Sequence, residues 1–224
     1  SSGCVVKSEA LADWARAKTN CPEPMTLMPA GVDLERFQVG EGSGSSTIIY
    51  HGRLDSERNV SLLVDIGDEL VARGHELKMH LIGAGNAWDS LAKSARDRDW
   101  LMLSAAVSPE EIPAVLAASD VGLFPLPDSP QWRVASALKI REWAACGLPV
   151  VASDIESHRS LGEREWLRLL PAGSPPDAWG EAVLAVLSER AELGRRARRD
   201  AEAEFSWEMA TEALHEHLLE LAGA

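Results

Sequence analysis

Lysine is scarce in this chain. Only five of its 22 basic residues are Lys, against 35 Asp and Glu, and the formal net charge is -13. A field of that sign repels polyanions, which excludes a general nucleic-acid or anionic-membrane binder. Cysteine is scarcer still. Cys4, Cys21 and Cys146 are odd in number and form no Cys-x-x-Cys pair, so the expectation is a reduced protein of the cytoplasm. Long hydrophobic runs are missing: no stretch approaches the roughly 18 apolar residues of a membrane span, and no signal peptide is recognisable. An initiator Met is missing too. The chain opens SSGCVV, which is the expectation for a domain excised from a longer protein. Metal-ligand clusters are also lacking. His75 and His80 lie near one strand and His215 and His217 in the last helix, and neither pair has a third donor at ligand spacing, so no metal site is expected.

What is present is core. The chain has 224 residues, 46% of them hydrophobic, enough for one large domain or a domain with appendages. Residues 4–18 read as a strand end and a helix capped by Ser8, and 38–45, QVGEGSGS, as a Gly/Ser-rich linker marking a boundary. From Ser46 strand and helix patterns alternate. Strands are expected at 46–53, 77–85, 99–105, 120–127, 149–152 and 166–173, with helices at 59–75, 88–97, 108–119 and 136–146. The 108–119 helix would start on Ser108, with Pro109 in the first turn and Glu111 closing a capping box. Helices then run over 176–194 and on to Glu204, and finally over 206–223 with Ser206 as cap. This alternation is the pattern of an α/β fold with a doubly wound parallel sheet.

The densest information lies in SALKIREWAACGLPVVAS, residues 136–153. Its first part is helical and stops at Gly147 and Pro149, and a β-branched run follows that suits a buried parallel strand. Lys139 and Glu142 stand three residues apart in this otherwise core-like helix, and so on one face near its start. With Ser136 as cap, the free amides of the first turn attract an anion. A Lys there suits a diphosphate, and a carboxylate one turn on suits the two vicinal hydroxyls of a ribose.

This segment resembles the donor-site segment of retaining GT-B glycosyltransferases, the group 1 or family 4 transferases. Four further segments resemble the same family in order. MTLMPAGVDLERF (25–37) is similar to its hinge, with Ala30 where Asn is usual; an ordinary Pro-x-Gly turn would read the same. GRLDSERN (52–59) is similar to its phosphate loop, with Arg58 and Asn59 in place of Lys and Gly. There Gly52 would let the phosphates approach, and Arg53 and Arg58 would clamp a diphosphate bidentately; without that context they are surface arginines paired with Asp55 and Glu57. LSAAVSPEEI (103–112) resembles the segment that holds the nucleobase through backbone near Ala106 and Val107. FSW (205–207) resembles the motif where the last helix crosses back to the acceptor domain. LIGAG (81–85) adds a glycine turn at Gly83, which is not a dinucleotide fingerprint, since a third glycine and a strand-end acid are missing. The family's first glutamate would fall at Val134, and its Gly-rich loop is replaced by VASAL. Ser136, Ala137, Leu138 and Lys139 are similar instead to a Ser-Pro-x-Lys subset.

The resemblance implies residues 1–37 as the end of an acceptor domain plus hinge, 46–205 as a Rossmann-like nucleotide-sugar domain, and 206–224 as a cross-over helix. It implies sugar transfer from a nucleotide-diphosphate sugar with retention, catalysed by Arg53, Arg58 and Lys139. The donor would be held by Gly52, Gly83, Ala106, Val107, Ser136, Ala137, Leu138 and Glu142. No cofactor or metal is expected, and any membrane contact would come through the missing half. A non-catalytic nucleotide-sugar module, and an epimerase or hydrolase on the same scaffold, remain as alternatives. Cys146, between Ala and Gly, reads as a small buried residue rather than a nucleophile. RRARR (195–199) reads as a solvated helix face, and most of the eight Trp read as packing residues.

Overall fold

Strand and helix alternate throughout the computed structural model, which describes residues 3–21 and 23–223. The first unit is β1 (Cys4–Val6), α1 (Glu9–Lys18) and β2 (Met25–Leu27). The main body follows as β3 (Thr47–Arg53), a 3-10 turn (Ser56–Arg58), α2 (Ser61–Ala72), β4 (Lys78–Ala84), α3 (Trp88–Arg96), β5 (Leu101–Ser104), α4 (Ile112–Ala117) and β6 (Val121–Phe124). It continues with α5 (Pro130–Arg133), α6 (Leu138–Ala145), β7 (Val150–Ser153), α7 (Glu156–Arg159), β8 (Leu167–Leu170), α8 (Pro176–Ser188), α9 (Arg190–Glu204) and α10 (Trp207–Ala222).

The six strands from β3 to β8 form one sheet in the order β5-β4-β3-β6-β7-β8, every pair parallel. Chain direction across the sheet reverses between β3 and β6, so a crevice opens beyond their carboxyl ends. This is a doubly wound, Rossmann-like sheet, as the alternation of strand and helix implies. The inner strands are apolar on both faces, as helices on both sides require: Ile48, Ile49, Tyr50, Leu123, Val150 and Val151 are all buried. Amphipathic α2 turns Leu63, Val64, Ile66 and Leu70 inward. Trp143, Trp166 and Trp179 are the largest fully buried side chains, as packing residues should be. Trp143 lies over Gly122, where a Cβ would strike its ring.

Four local readings differ from the structure. Cys4 and Cys21 are joined in a disulfide, with Cα atoms 6.5 Å apart. Parallel pairing of β1 with β2 and the return of α1 between them bring residue 21 back beside Cys4. A pair 17 residues apart escapes a search for Cys-x-x-Cys, so the fully reduced chain was a wrong expectation, and the cysteine argument for the cytoplasm goes with it. Cys146 is free and buried, and burial pushes its thiol up to about 12. The helix expected from Ser108 begins only at Ile112: Glu111 does accept the Ser108 amide at 2.9 Å, but the segment between them is a turn. Stretch 38–45 is docked onto the body. The Gly42 amide donates to the Ala117 carbonyl, and Ser43 donates to the buried carboxylate of Asp120 through both its amide and its hydroxyl. Finally, Ser136 does not cap α6. The N-cap is Ala137, without a side-chain bond, and Ser136 Oγ accepts the Ala30 amide at 3.3 Å instead.

Candidate functional site

The site grows from the carboxyl end of β3, where His51, Gly52 and Arg53 still pair with β4 but run past the last residue paired with β6. Gly52 adopts φ +123°, and a Cβ there would meet Lys139 Cε at 2.6 Å. Glycine at this point lets the Lys139 stem, arriving from the first turn of α6, lie against the strand end. On the next strand Gly83 adopts φ +154°, and a Cβ there would strike the Gly52 carbonyl. Two clefts open at this edge, sharing His51 and Gly52. The larger, about 490 Å³, is lined by Arg58, Trp132, Ser136, Leu138, Lys139 and Glu142, among others. The smaller, about 360 Å³, is lined by Arg53, Gly83, Ala106, Val107 and Ile112.

In the larger cleft the cations converge. The 3-10 turn presents Arg58, whose guanidinium stacks on the Trp132 indole 4.3 Å from its centroid. Arg58 Nε and Trp132 Nε1 are buried without a hydrogen-bond partner among the described residues. A buried donor left without an acceptor costs about 1–3 kcal/mol, so both lack what an anionic or oxygen-rich ligand would supply. Lys139 Nζ stands 5.4 Å from the Phe124 centroid. Burial first and Arg58 second push its ammonium down to about 8, with Glu142 opposing them. Beneath, burial raises the Tyr50 phenol to about 12 against the pull of Arg58.

Glu142 is set by a chain of contacts. Trp143 Nε1–H donates to His51 Nδ1 at 3.1 Å. That bond makes Nδ1 the acceptor nitrogen, so the proton of the neutral ring sits on Nε2. His51 Nε2 in turn lies 3.4 Å from Glu142 Oε2, both side chains being largely buried. One carboxylate oxygen faces the histidine, and the other remains for the cleft.

Arg53 stands apart. Its guanidinium forks onto Asp55, Nε to Oδ2 at 2.8 Å and Nη2 to Oδ1 at 3.1 Å. The Arg53 fork, and after it the Asn86 amide, hold the Asp55 carboxyl below the usual carboxylate range. Thus Arg58, Lys139, Glu142, Ser136, Leu138 and Gly52 are brought together, while Arg53, Gly83, Ala106 and Val107 meet at the neighbouring cleft. Ala137 is buried behind the first. Sequence reasoning missed His51, Trp132 and His158, which also line the larger cleft. His51 directly precedes the glycine of the phosphate-loop motif, and His158 falls five residues past the end of β7. Both lie at or just beyond the carboxyl end of a strand, where parallel sheets carry ligands.

A hollow of about 600 Å³ lies at the opposite end of the sheet, between Gly40, Gly147 and α9. Its Arg190, Arg195 and Arg198 are paired with Asp120, Glu192 and Glu202. Among the described residues no group of three His, Cys, Asp or Glu is placed to hold a metal ion, and no helix is long and apolar enough to cross a membrane.

The chain is 27% identical over 215 residues to a D-inositol 3-phosphate glycosyltransferase of Geodermatophilus obscurus, covering 86% of this chain and 46% of that protein. It is 25% identical to a GDP-mannose-dependent monoacylated alpha-(1-6)-phosphatidylinositol monomannoside mannosyltransferase of Corynebacterium glutamicum, covering 84% and 54%. It thus spans about half the length of the curated relatives it matches. Among solved structures, Anabaena Alr3699/HepE in complex with UDP-glucose superposes with a TM-score of 0.80 at 16% identity, covering 98% of this chain and 64% of that one. The family model described as glycosyl transferases group 1 matches residues 45–189. That match spans β3 to α8, with the six-stranded sheet and most of the lining of both clefts, and so the chain belongs to the group 1 glycosyl transferases.

Proposed function

We propose that this chain is the donor half of a retaining hexosyltransferase and binds a nucleotide-diphosphate sugar across the two clefts. The carrying observation is the meeting of Arg58 and Lys139 at the switch point, with Arg58 Nε and Trp132 Nε1 lacking acceptors. A diphosphate fits that deficit. Its oxygens accept from the Arg58 guanidinium, the Lys139 ammonium and the first-turn amides of α6, which have no intrahelical partner. The free oxygen of Glu142 takes the ribose hydroxyls, and backbone near Ala106 and Val107 meets the base. Arg53, held by Asp55, adds charge at the margin. When the sugar leaves, charge develops on the diphosphate, and these fixed cations stabilise it in place of a metal. The relative whose name includes GDP-mannose and the neighbour solved with UDP-glucose support a nucleotide sugar.

The acceptor is read as belonging to a second half. Strands β1 and β2 form a separate two-stranded parallel sheet, a size that is marginal alone. Val5, Trp14, Leu218 and Leu221 are exposed on this part and on α10, surface that a second domain would cover. Alone, the chain is proposed to bind donor without transferring sugar, and to work in the cytoplasm, where nucleotide sugars are available. Calorimetric titration with UDP, GDP and their sugars tests this reading. Binding of at least one, unchanged by chelator, is expected. No binding by any would overturn it, and a loss above tenfold in chelator would overturn the metal-free part.

A further inference from the structure

Resting on that reading, we infer that His158 reads the glycosyl group of the donor, its Nε2 accepting a hydrogen bond from a sugar hydroxyl. His158 is 1% exposed and lines the larger cleft. Its Nδ1 lies 2.7 Å from the Ser153 carbonyl oxygen. A carbonyl only accepts, so Nδ1 carries the proton and Nε2 holds a lone pair. Burial lowers the ring to about 4, which keeps it neutral near pH 7.

The need for such an acceptor follows from the cleft's composition. Lys7, Arg58, Trp132 and Lys139 are donors only. His51 is engaged on both nitrogens, and Ser136 Oγ already accepts an amide. Glu142 keeps one oxygen, which the ribose takes. A sugar brings several hydroxyls, each of which needs an acceptor when it leaves water. Apart from the second lone pair of Ser136 Oγ, the side chains left to supply one are Ser157 and His158, adjacent on α7. Placement agrees with this. The Phe124 ring has the Lys139 ammonium 5.4 Å from its centroid and the His158 ring centroid at 5.2 Å. Lys139 and His158 thus flank one aromatic ring, within reach of a hexosyl group carried on a diphosphate at Lys139.

Two variants separate this role from a structural one. Asn places an amide N–H near the position of Nδ1 and nothing at Nε2, so His158→Asn keeps the Ser153 bond and loses the acceptor. Gln reaches the Nε2 position with its amide oxygen but loses that bond. The experiment measures the Kd of the 224-residue chain for UDP, UDP-glucose, GDP and GDP-mannose by calorimetry. His158→Asn is expected to weaken the preferred nucleotide sugar about five- to tenfold, the scale of one hydrogen bond, with less than twofold change for its nucleoside diphosphate. His158→Gln is expected to keep the wild-type ratio of the two even where its thermal midpoint falls. An unchanged ratio in His158→Asn, or equal weakening of both ligands, overturns the inference while leaving diphosphate binding intact. Failure of the wild-type chain to bind any of the four overturns the function proposed above, and this inference with it.

Discussion

Charge at single residues is where the proposed donor site is most exposed to test. Arg58→Ala should weaken a nucleoside diphosphate by about 10- to 100-fold, the range for hydrogen bonds to charged groups, and the free nucleoside far less. Calorimetry with the two ligands checks this. Arg53→Ala should cost less, because its fork is already turned onto Asp55. Glu142→Gln should cost about 1–2 kcal/mol with a normal ribose, and much less with the 2′,3′-dideoxy analogue. Equal losses on both ligands would make Glu142 a support for α6 instead. Lys139 adds a pH signature. Its folded pKa of about 8 lies below the ordinary lysine value of 10.5, so between those values the unfolded chain holds more protons than the folded one. The penalty on stability is therefore full below about pH 8 and is relieved as pH rises toward the unfolded value. Diphosphate binding works in the other direction, since it favours the charged ammonium. Affinity should fall from pH 7.5 to 9.5, and Lys139→Met should flatten that fall as well as lower the affinity at its start. A slope that survives in Lys139→Met would assign the titration to another group.

Elements set these residues in place. The 3-10 turn brings Arg58 over the sheet edge, and α6 brings Lys139 and Glu142 to the same edge from the other side of the switch point. Gly52 is where the two meet. Gly52→Ala should destabilise the fold by about 1–3 kcal/mol through its left-handed φ, and should weaken diphosphate binding besides by displacing Lys139. Urea denaturation and calorimetry report the two effects separately. A variant with wild-type values in both would contradict the contact drawn at 2.6 Å. At the far end of the chain Ser206 caps α10, accepting the Met209 amide at 3.2 Å. Its replacement by Ala should cost about 1 kcal/mol, as N-caps do, and leave nucleotide affinity alone.

On the scale of the whole molecule the chain divides into a six-stranded body and the smaller β1–α1–β2 unit, which the Cys4–Cys21 disulfide ties together. The clefts belong mainly to the body. Lys7, next to β1, reaches the larger one, and the Ser8 hydroxyl donates to the Val134 carbonyl at 3.0 Å. Reduction, or Cys21→Ser, should raise amide hydrogen exchange in residues 4–27 and leave the exchange of β3 to β8 unchanged. Diphosphate affinity should stay within about threefold, because Arg58 and Lys139 are carried by the body. A larger loss would mean that the small unit shapes the cleft more than Lys7 and Ser8 indicate.

By itself the sequence determined the alternation of strand and helix, the boundaries of β3, β4 and α10 to within a residue or two, and the gathering of Lys139 and Glu142 on one face. These are consequences of local periodicity, of glycine and proline stops and of an N-cap, all read within a few neighbours. It carried the short α5 and α7 poorly, since four residues hold no period. Only the tertiary structure decided which distant side chains meet. It paired Cys4 with Cys21, gave Ser136 to Ala30, and stacked Arg58 on Trp132. It also set His51 between Trp143 and Glu142, 92 residues from the former along the chain. Such contacts depend on strand order and on the side of the sheet from which each helix returns. Parallel pairing fixes both through long crossovers, so no local pattern records them.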